Sequence, residues 1–139
     1  MDRKWLLLVG GKYHDWEGAA KAFSAILGKA LGIRTEVLDD PQVLAGNLGR
    51  YGGILLYREL QAVPKALAAG LDRFVREQGR PLVAVHCASV YEKNPTLFQL
   101  LGVRFTGHPP VRAFPVALAP ARHWITQRLF PFRVTDELY

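Results

Sequence analysis

The chain has 139 residues, 50% of them apolar and 22% charged, a composition that supports a sizeable core and excludes disordered and collagen-like chains. Its longest apolar runs, residues 5–9 and 53–57, fall far short of the roughly 20 residues a spanning helix needs, and Asp2, Arg3 and Lys4 precede too few apolar residues for a secretory signal. The net charge of +6 arises from 18 basic residues that are scattered, adjacent only at Arg3-Lys4 and not interleaved with aromatics, which argues against a specific nucleic-acid partner.

Taken in chain order, residues 5–9 predict a first strand buried on both faces, ended by Gly10-Gly11. From Asp15, apolar residues Trp16, Ala19, Ala20, Phe23, Ile26, Leu27 and Leu31 recur at helical spacing, with Asp15 as cap and Gly32 as terminator. Residues 33–38 predict a second strand, 41–48 a short helix, and 53–57 a third strand leaving through Arg58-Glu59. Pro64 opens a helix with Leu67, Leu71, Phe74 and Val75 on its inner face, stopped by Gly79 and followed by a strand over 82–86. Beyond it, 95–101 predict a short helix, 103–105 and 111–118 strands antiparallel at the sheet edge, 123–129 a weak helix and 132–135 a last strand. Short apolar runs alternating with helices indicate βαβ units and a mostly parallel sheet in one α/β domain over 1–139. The apolar edge segment 111–118 suits homo-oligomerisation, with the number of subunits left open.

In an open parallel sheet, ligands bind beyond the carboxyl ends of the strands. Three loops deliver ionisable groups there: Tyr13-His14-Asp15 after the first strand, Arg58-Glu59 after the third and His86-Cys87 after the fourth. Ala84-Val85-His86-Cys87-Ala88 has the form of a nucleophile elbow, whose tight turn demands small residues two positions either side of its centre. Centring on His86 places Ala84 and Ala88 there; centring on Cys87 places Val85 and Ser89. The first register fits better, so His86 is expected at the elbow, and Cys87 reads most simply as a small buried side chain. As the sole cysteine it excludes an internal disulfide and is compatible with a reducing cytoplasm.

Three segments carry a resemblance: Val83-Ala84-Val85-His86-Cys87-Ala88-Ser89, Arg104-Phe105-Thr106-Gly107-His108-Pro109-Pro110 and Val134-Thr135-Asp136-Glu137-Leu138-Tyr139. With them the chain resembles the ThuA-like (trehalose-utilisation) family. That resemblance implies a flavodoxin-like α/β fold of the class I glutamine amidotransferase type, with helices on both faces of the sheet, and a link to sugar metabolism. It also implies that the Cys-His-Glu amidotransferase triad is not intact. The chain departs from the family in having one glycine, Gly102, before Val103 where two are common, and in ending at Tyr139 where longer members continue.

His14, His86 and His108 all fall at loops or strand ends, which favours a shared site. Imidazole is both a common transition-metal ligand and the side chain matched to proton transfer near neutral pH. With Glu137 or Asp136, the three could hold a divalent metal with a position open to water or a sugar oxygen. A metal-free alternative has His86 or His108 as general acid or base, oriented by Glu59 or Glu137. Cys87 stands behind them as a catalytic candidate, and His14, Glu59 and Trp124 as substrate-binding ones. The plainer readings are that His14 helps Asp15 cap a helix, that His108 bonds a loop carbonyl and that Asp136 and Glu137 are solvated charge. Trp16 is then core, Trp124 packs at a sheet edge, and Gly10-Gly11-Lys12 is a glycine turn with no phosphate-loop pattern. The activity expected is proton transfer or metal-assisted chemistry on a sugar, or else sugar sensing or assembly without catalysis.

Overall fold

The structure, a computed structural model, describes residues 4–119 and 123–138. Asp2, Arg3 and Tyr139 lie outside them. Two compact units divide after Phe105.

The first unit is built on four parallel strands, β1 (Lys4–Gly10), β2 (Arg34–Leu38), β3 (Gly53–Arg58) and β4 (Leu82–Ala84), in the order β2-β1-β3-β4. The unbroken apolar runs became the central strands, as expected of chain buried on both faces. Successive side chains then alternate between two cores. Leu6, Leu8, Ile54 and Leu56 face α2 (Lys65–Asp72) and α3 (Pro95–Leu101), together with Leu67, Leu71, Phe74 and Leu97. Leu7, Val9 and Leu55 face α1 (Trp16–Leu31), meeting Ala20 and Leu27, with Trp16 and Phe23 packed at the margin. Helices thus cover both faces of a flavodoxin-like sheet, and Trp16 packs, partly buried, against the core on the α1 side.

The ends of α1 lie where cap chemistry puts them. The Asp15 carboxylate accepts from the Gly18 amide at 2.8 Å, and Gly32, at φ 62°, turns its own amide back to the carbonyls of Gly28 and Leu27. Asp15→Ala should therefore lower stability by about 1 kcal/mol in equilibrium urea unfolding, whereas Asp15→Ser should lower it by much less.

Four expectations are corrected. Residues 41–48 form no single helix but two 3-10 turns, Pro41–Ala45 and Leu48–Arg50, because Gly46 is extended and Asp40 and Asn47 each cap a separate turn. The α-helical part of the next helix stops at Asp72 and continues as a π-helical turn, Arg73–Glu77, that seats the fully buried Phe74. Strand β4 ends at Ala84, two residues early, because the backbone reverses at His86. Residues 103–105 pair with no strand; instead the Tyr91 hydroxyl donates to the Val103 carbonyl and the Phe105 amide to that of Ser89.

In the second unit β5 (Arg112–Val116) and β6 (Phe132–Asp136) are antiparallel, with Phe114 opposite Val134. They form their own two-stranded sheet and do not extend the four-stranded one. Residues 123–129 are a run of turns, not a helix: the amides of Thr126 and Gln127 both donate to the His123 carbonyl and that of Leu129 to Thr126. Among the described residues no helix is long and apolar enough to cross a membrane.

Candidate active site at the carboxyl edge of the sheet

The loop after β1 is shaped by what β3 sends across it. Gly10 and Gly11 both have positive φ, 129° and 118°, values that side chains rarely tolerate. Their missing side chains also leave room. Register pairs Gly10 with Arg58, and a Cβ at Gly10 would sit 2.0 Å from Arg58 Nη1, while one at Gly11 would sit 3.0 Å from Glu59 Oε1. The Arg58 guanidinium donates through Nη1 to the Val9 carbonyl at 3.1 Å and also to that of Asp39, tying together the exits of β1 and β2. The glycine turn is therefore a cradle for two charged side chains, and not a phosphate loop.

Beyond the turn, His14 meets the residue that leaves β4. The His14 and His86 rings lie 4.7 Å apart, edge to face at 69°. Tyr57, the residue before Arg58, stacks on His86 at 6.3 Å and 23° and lies 6.1 Å from His14. Phe23 of α1 closes the group, 5.7 Å from Tyr57. Both imidazoles are half-buried. Among the described residues His86 is the only non-glycine with positive φ, 50°, a left-handed conformation that costs a β-carbon residue on the order of 1 kcal/mol. The Ser89 hydroxyl holds the bend by donating to the His86 carbonyl at 2.9 Å, and Ala88 is fully buried beneath it. A larger side chain two positions after the bend would have no room.

Cys87, the next residue, is fully buried. Burial pushes its thiol up to about 11, and the negative charge of Glu59 adds to the effect. A thiol held that high is mostly protonated near neutral pH. Glu59 itself is only 8% exposed; one of its oxygens accepts from the Gln61 amide at 3.4 Å. With Gly11, Lys12, Pro41 and Arg58 it lines a cleft of about 420 Å³ just beyond β1 and β3, the switch point at which doubly wound sheets bind ligands.

The remaining candidates belong to the second unit. His108 donates through Nδ1 to the Pro109 carbonyl at 2.8 Å, and its Nε2 faces Glu137 Oε1 at 3.4 Å. Asp136 accepts from the Glu137 amide. The loop-carbonyl role and the His-Glu pairing thus coexist at His108, and Glu137 is more than solvated charge. Trp124 is 75% exposed beside His123, so it does not pack at a sheet edge. Of the three histidines expected to share a metal, His14 and His86 belong to the first unit and His108 to the second. Among the described residues no group of three His, Cys, Asp or Glu side chains is arranged to hold a metal ion.

Sequence patterns singled out both imidazoles but not Tyr57, which looks like one more apolar strand residue; only its place as the last outward position on the α1 face marks it. Nor did they reveal that Arg58 and Glu59 reach back across the first loop.

Comparison with known proteins agrees with this architecture. No curated protein matches the sequence. The chain superposes on the crystal structure of a ThuA-like protein from Bacteroides uniformis ATCC 8492 with a TM-score of 0.75 at 20% identity, over 97% of this chain and 59% of that one. It therefore spans about three-fifths of that protein's length. The sequence profile of the ThuA family, described as trehalose utilisation, matches residues 5–139, and the chain belongs to that family.

Proposed function

We propose that the protein binds and transforms a sugar or sugar derivative at the paired imidazoles of the first unit, with His86 as the proton-transferring residue and His14 beside it. The observation that carries this reading is the 4.7 Å approach of two histidines from separate loops, one of them held in a strained backbone conformation. Strain of this kind persists where the surrounding structure over-determines it, and it clusters at functional sites. Imidazoles at this spacing are close enough for one sugar hydroxyl to touch both, and imidazole gives or takes a proton near neutral pH. The stacked Tyr57 ring limits how His86 can turn. Trehalose or a related glycoside is the substrate class that family membership suggests, and a cytoplasmic setting is proposed with it on the single cysteine, Cys87.

A panel of trehalose, glucose and their oxidised derivatives tests this by thermal shift and by mass spectrometry of the mixtures. A responsive sugar should raise the melting temperature and yield product, and His86→Ala should cut turnover by 10²-fold or more. Unchanged binding and turnover in both His86→Ala and His14→Ala would overturn the assignment. Stabilisation by a sugar with no product at any time would point instead to a sensing or assembly domain on the same scaffold.

A further inference from the structure

The cleft beyond β1 and β3 has a feature that the imidazole pair does not explain. Two consecutive residues on its wall each keep a buried polar atom without a hydrogen-bond partner: Nε of Arg58 and Oε1 of Glu59. A buried polar group without a partner is uncommon and expensive, more so when it carries charge. One of the two is an obligatory donor and the other, on an ionised carboxylate, an obligatory acceptor.

We propose that this cleft is a binding site for the vicinal hydroxyls of a polyol, one hydroxyl donating to Glu59 and its neighbour accepting from Arg58. The lining charges select among ligands. Arg58 and Lys12 are two positive groups against the single carboxylate of Glu59, so a bound metal ion or ammonium would enter a positively charged wall. An anion would meet Arg58 well but would face the Glu59 carboxylate, leaving its oxygen without a donor. A hydroxyl is a neutral group that both donates and accepts, and two on adjacent carbons satisfy both orphaned atoms at once. The last torsion of a glutamate is broad and roughly two-fold, so Oε1 turns from Gly11 towards the ligand with little resistance, the more so because its partner oxygen holds Gln61 only at 3.4 Å. Arg58 keeps its carbonyl bonds through Nη1, leaving Nε to the ligand.

The inference rests on the sugar reading above for its ligand class only; its residues are different ones. myo-Inositol is therefore the probe, since it offers vicinal hydroxyls but no anomeric carbon to transform, with cyclohexanol as the control. Titrated into the wild-type protein and followed by ¹H–¹⁵N NMR, myo-inositol should shift the amides of Gly11 and Lys12, while cyclohexanol at equal concentration should not. Glu59→Ala should weaken binding about tenfold or more, and Ala62→Trp, at an exposed position on the cleft wall, should block it without disturbing the core. His86→Ala should leave it unchanged. Shifts that survive both cleft variants but vanish in His86→Ala would overturn the cleft assignment and leave the imidazole reading standing. The absence of any inositol-dependent shift at Gly11 and Lys12 would overturn it as well, with the sugar panel deciding the imidazole reading separately.

Discussion

Gly70→Ala should unfold the protein or lower its stability by about 3 kcal/mol or more, although it adds a single methyl group and improves helix propensity. In a solvent-exposed helix the change would stabilise by up to about 1 kcal/mol. Here α2 lies backbone to backbone on the 3-10 turn Pro41–Ala45, and a Cβ at Gly70 would come within 1.8 Å of the Leu44 carbonyl oxygen. That oxygen belongs to the main chain, so no side-chain rotation can relieve the overlap. Either the helix or the turn must shift, and both are anchored in the core through Leu44, Leu67 and Leu71, all essentially inaccessible. Overpacking of this kind typically costs 1–3 kcal/mol and more where the backbone must move. Urea unfolding of the purified variant, followed by circular dichroism, gives the number; a variant as stable as wild type would show that α2 and the turn can slide apart.

Cys87 in the native protein should react with iodoacetamide at pH 8 at least two orders of magnitude more slowly than the same residue in the urea-unfolded chain. Only the thiolate attacks. A thiol pushed up to about 11 is ionised to roughly one part in a thousand at pH 8, against about a quarter for an ordinary thiol near 8.5, and full burial slows access further. Rapid labelling of the folded protein would refute the buried, neutral thiol and reopen the case for a nucleophile. The same residue sets a pH dependence. Its folded pKa lies above its unfolded one, so the folded state holds the proton more tightly. The associated stability is fully present below about pH 8 and is lost as pH rises through 9 towards 11, amounting to about 3 kcal/mol. Other groups titrate in that range too, so the signature is the difference in slope between wild type and Cys87→Ala.

Much of the first unit was legible in the sequence because several local signals agreed there. In α1 a helical apolar period, an aspartate cap and a terminal glycine coincide, and β1 and β3 are apolar runs of strand length, the first ended and the second opened by a pair of glycines. Where one signal stood alone, tertiary structure decided. Pro41 announced a helix, yet Gly46 and Asn47 restarted it as a second 3-10 turn. The apolar run ending at His86 looked like strand to its last residue, but the bend that makes His86 interesting takes those final positions out of the sheet. The short apolar segment 103–105 had no partner strand, and sequence cannot supply one. At the site, the rule that loops converge at the carboxyl edge put His14, His86 and His108 together, and of these the structure shows the His14 and His86 rings in contact. The cleft stayed hidden because it depends on register: only when Gly10, the last residue of β1, lies opposite Arg58, the last of β3, do the two glycines at that exit meet the side chains of Arg58 and Glu59.

That pairing bears on how the first loop can drift. Alanine at position 10 or 11 would press on the end of Arg58 or Glu59 as they now stand, a flexible side chain in each case, so the firmer bar to change is the positive φ of both glycines. Truncation at 58 or 59 removes that steric reason and leaves the backbone conformation in force, so relatives that have lost the arginine or the glutamate but keep this turn should still show glycine at both positions.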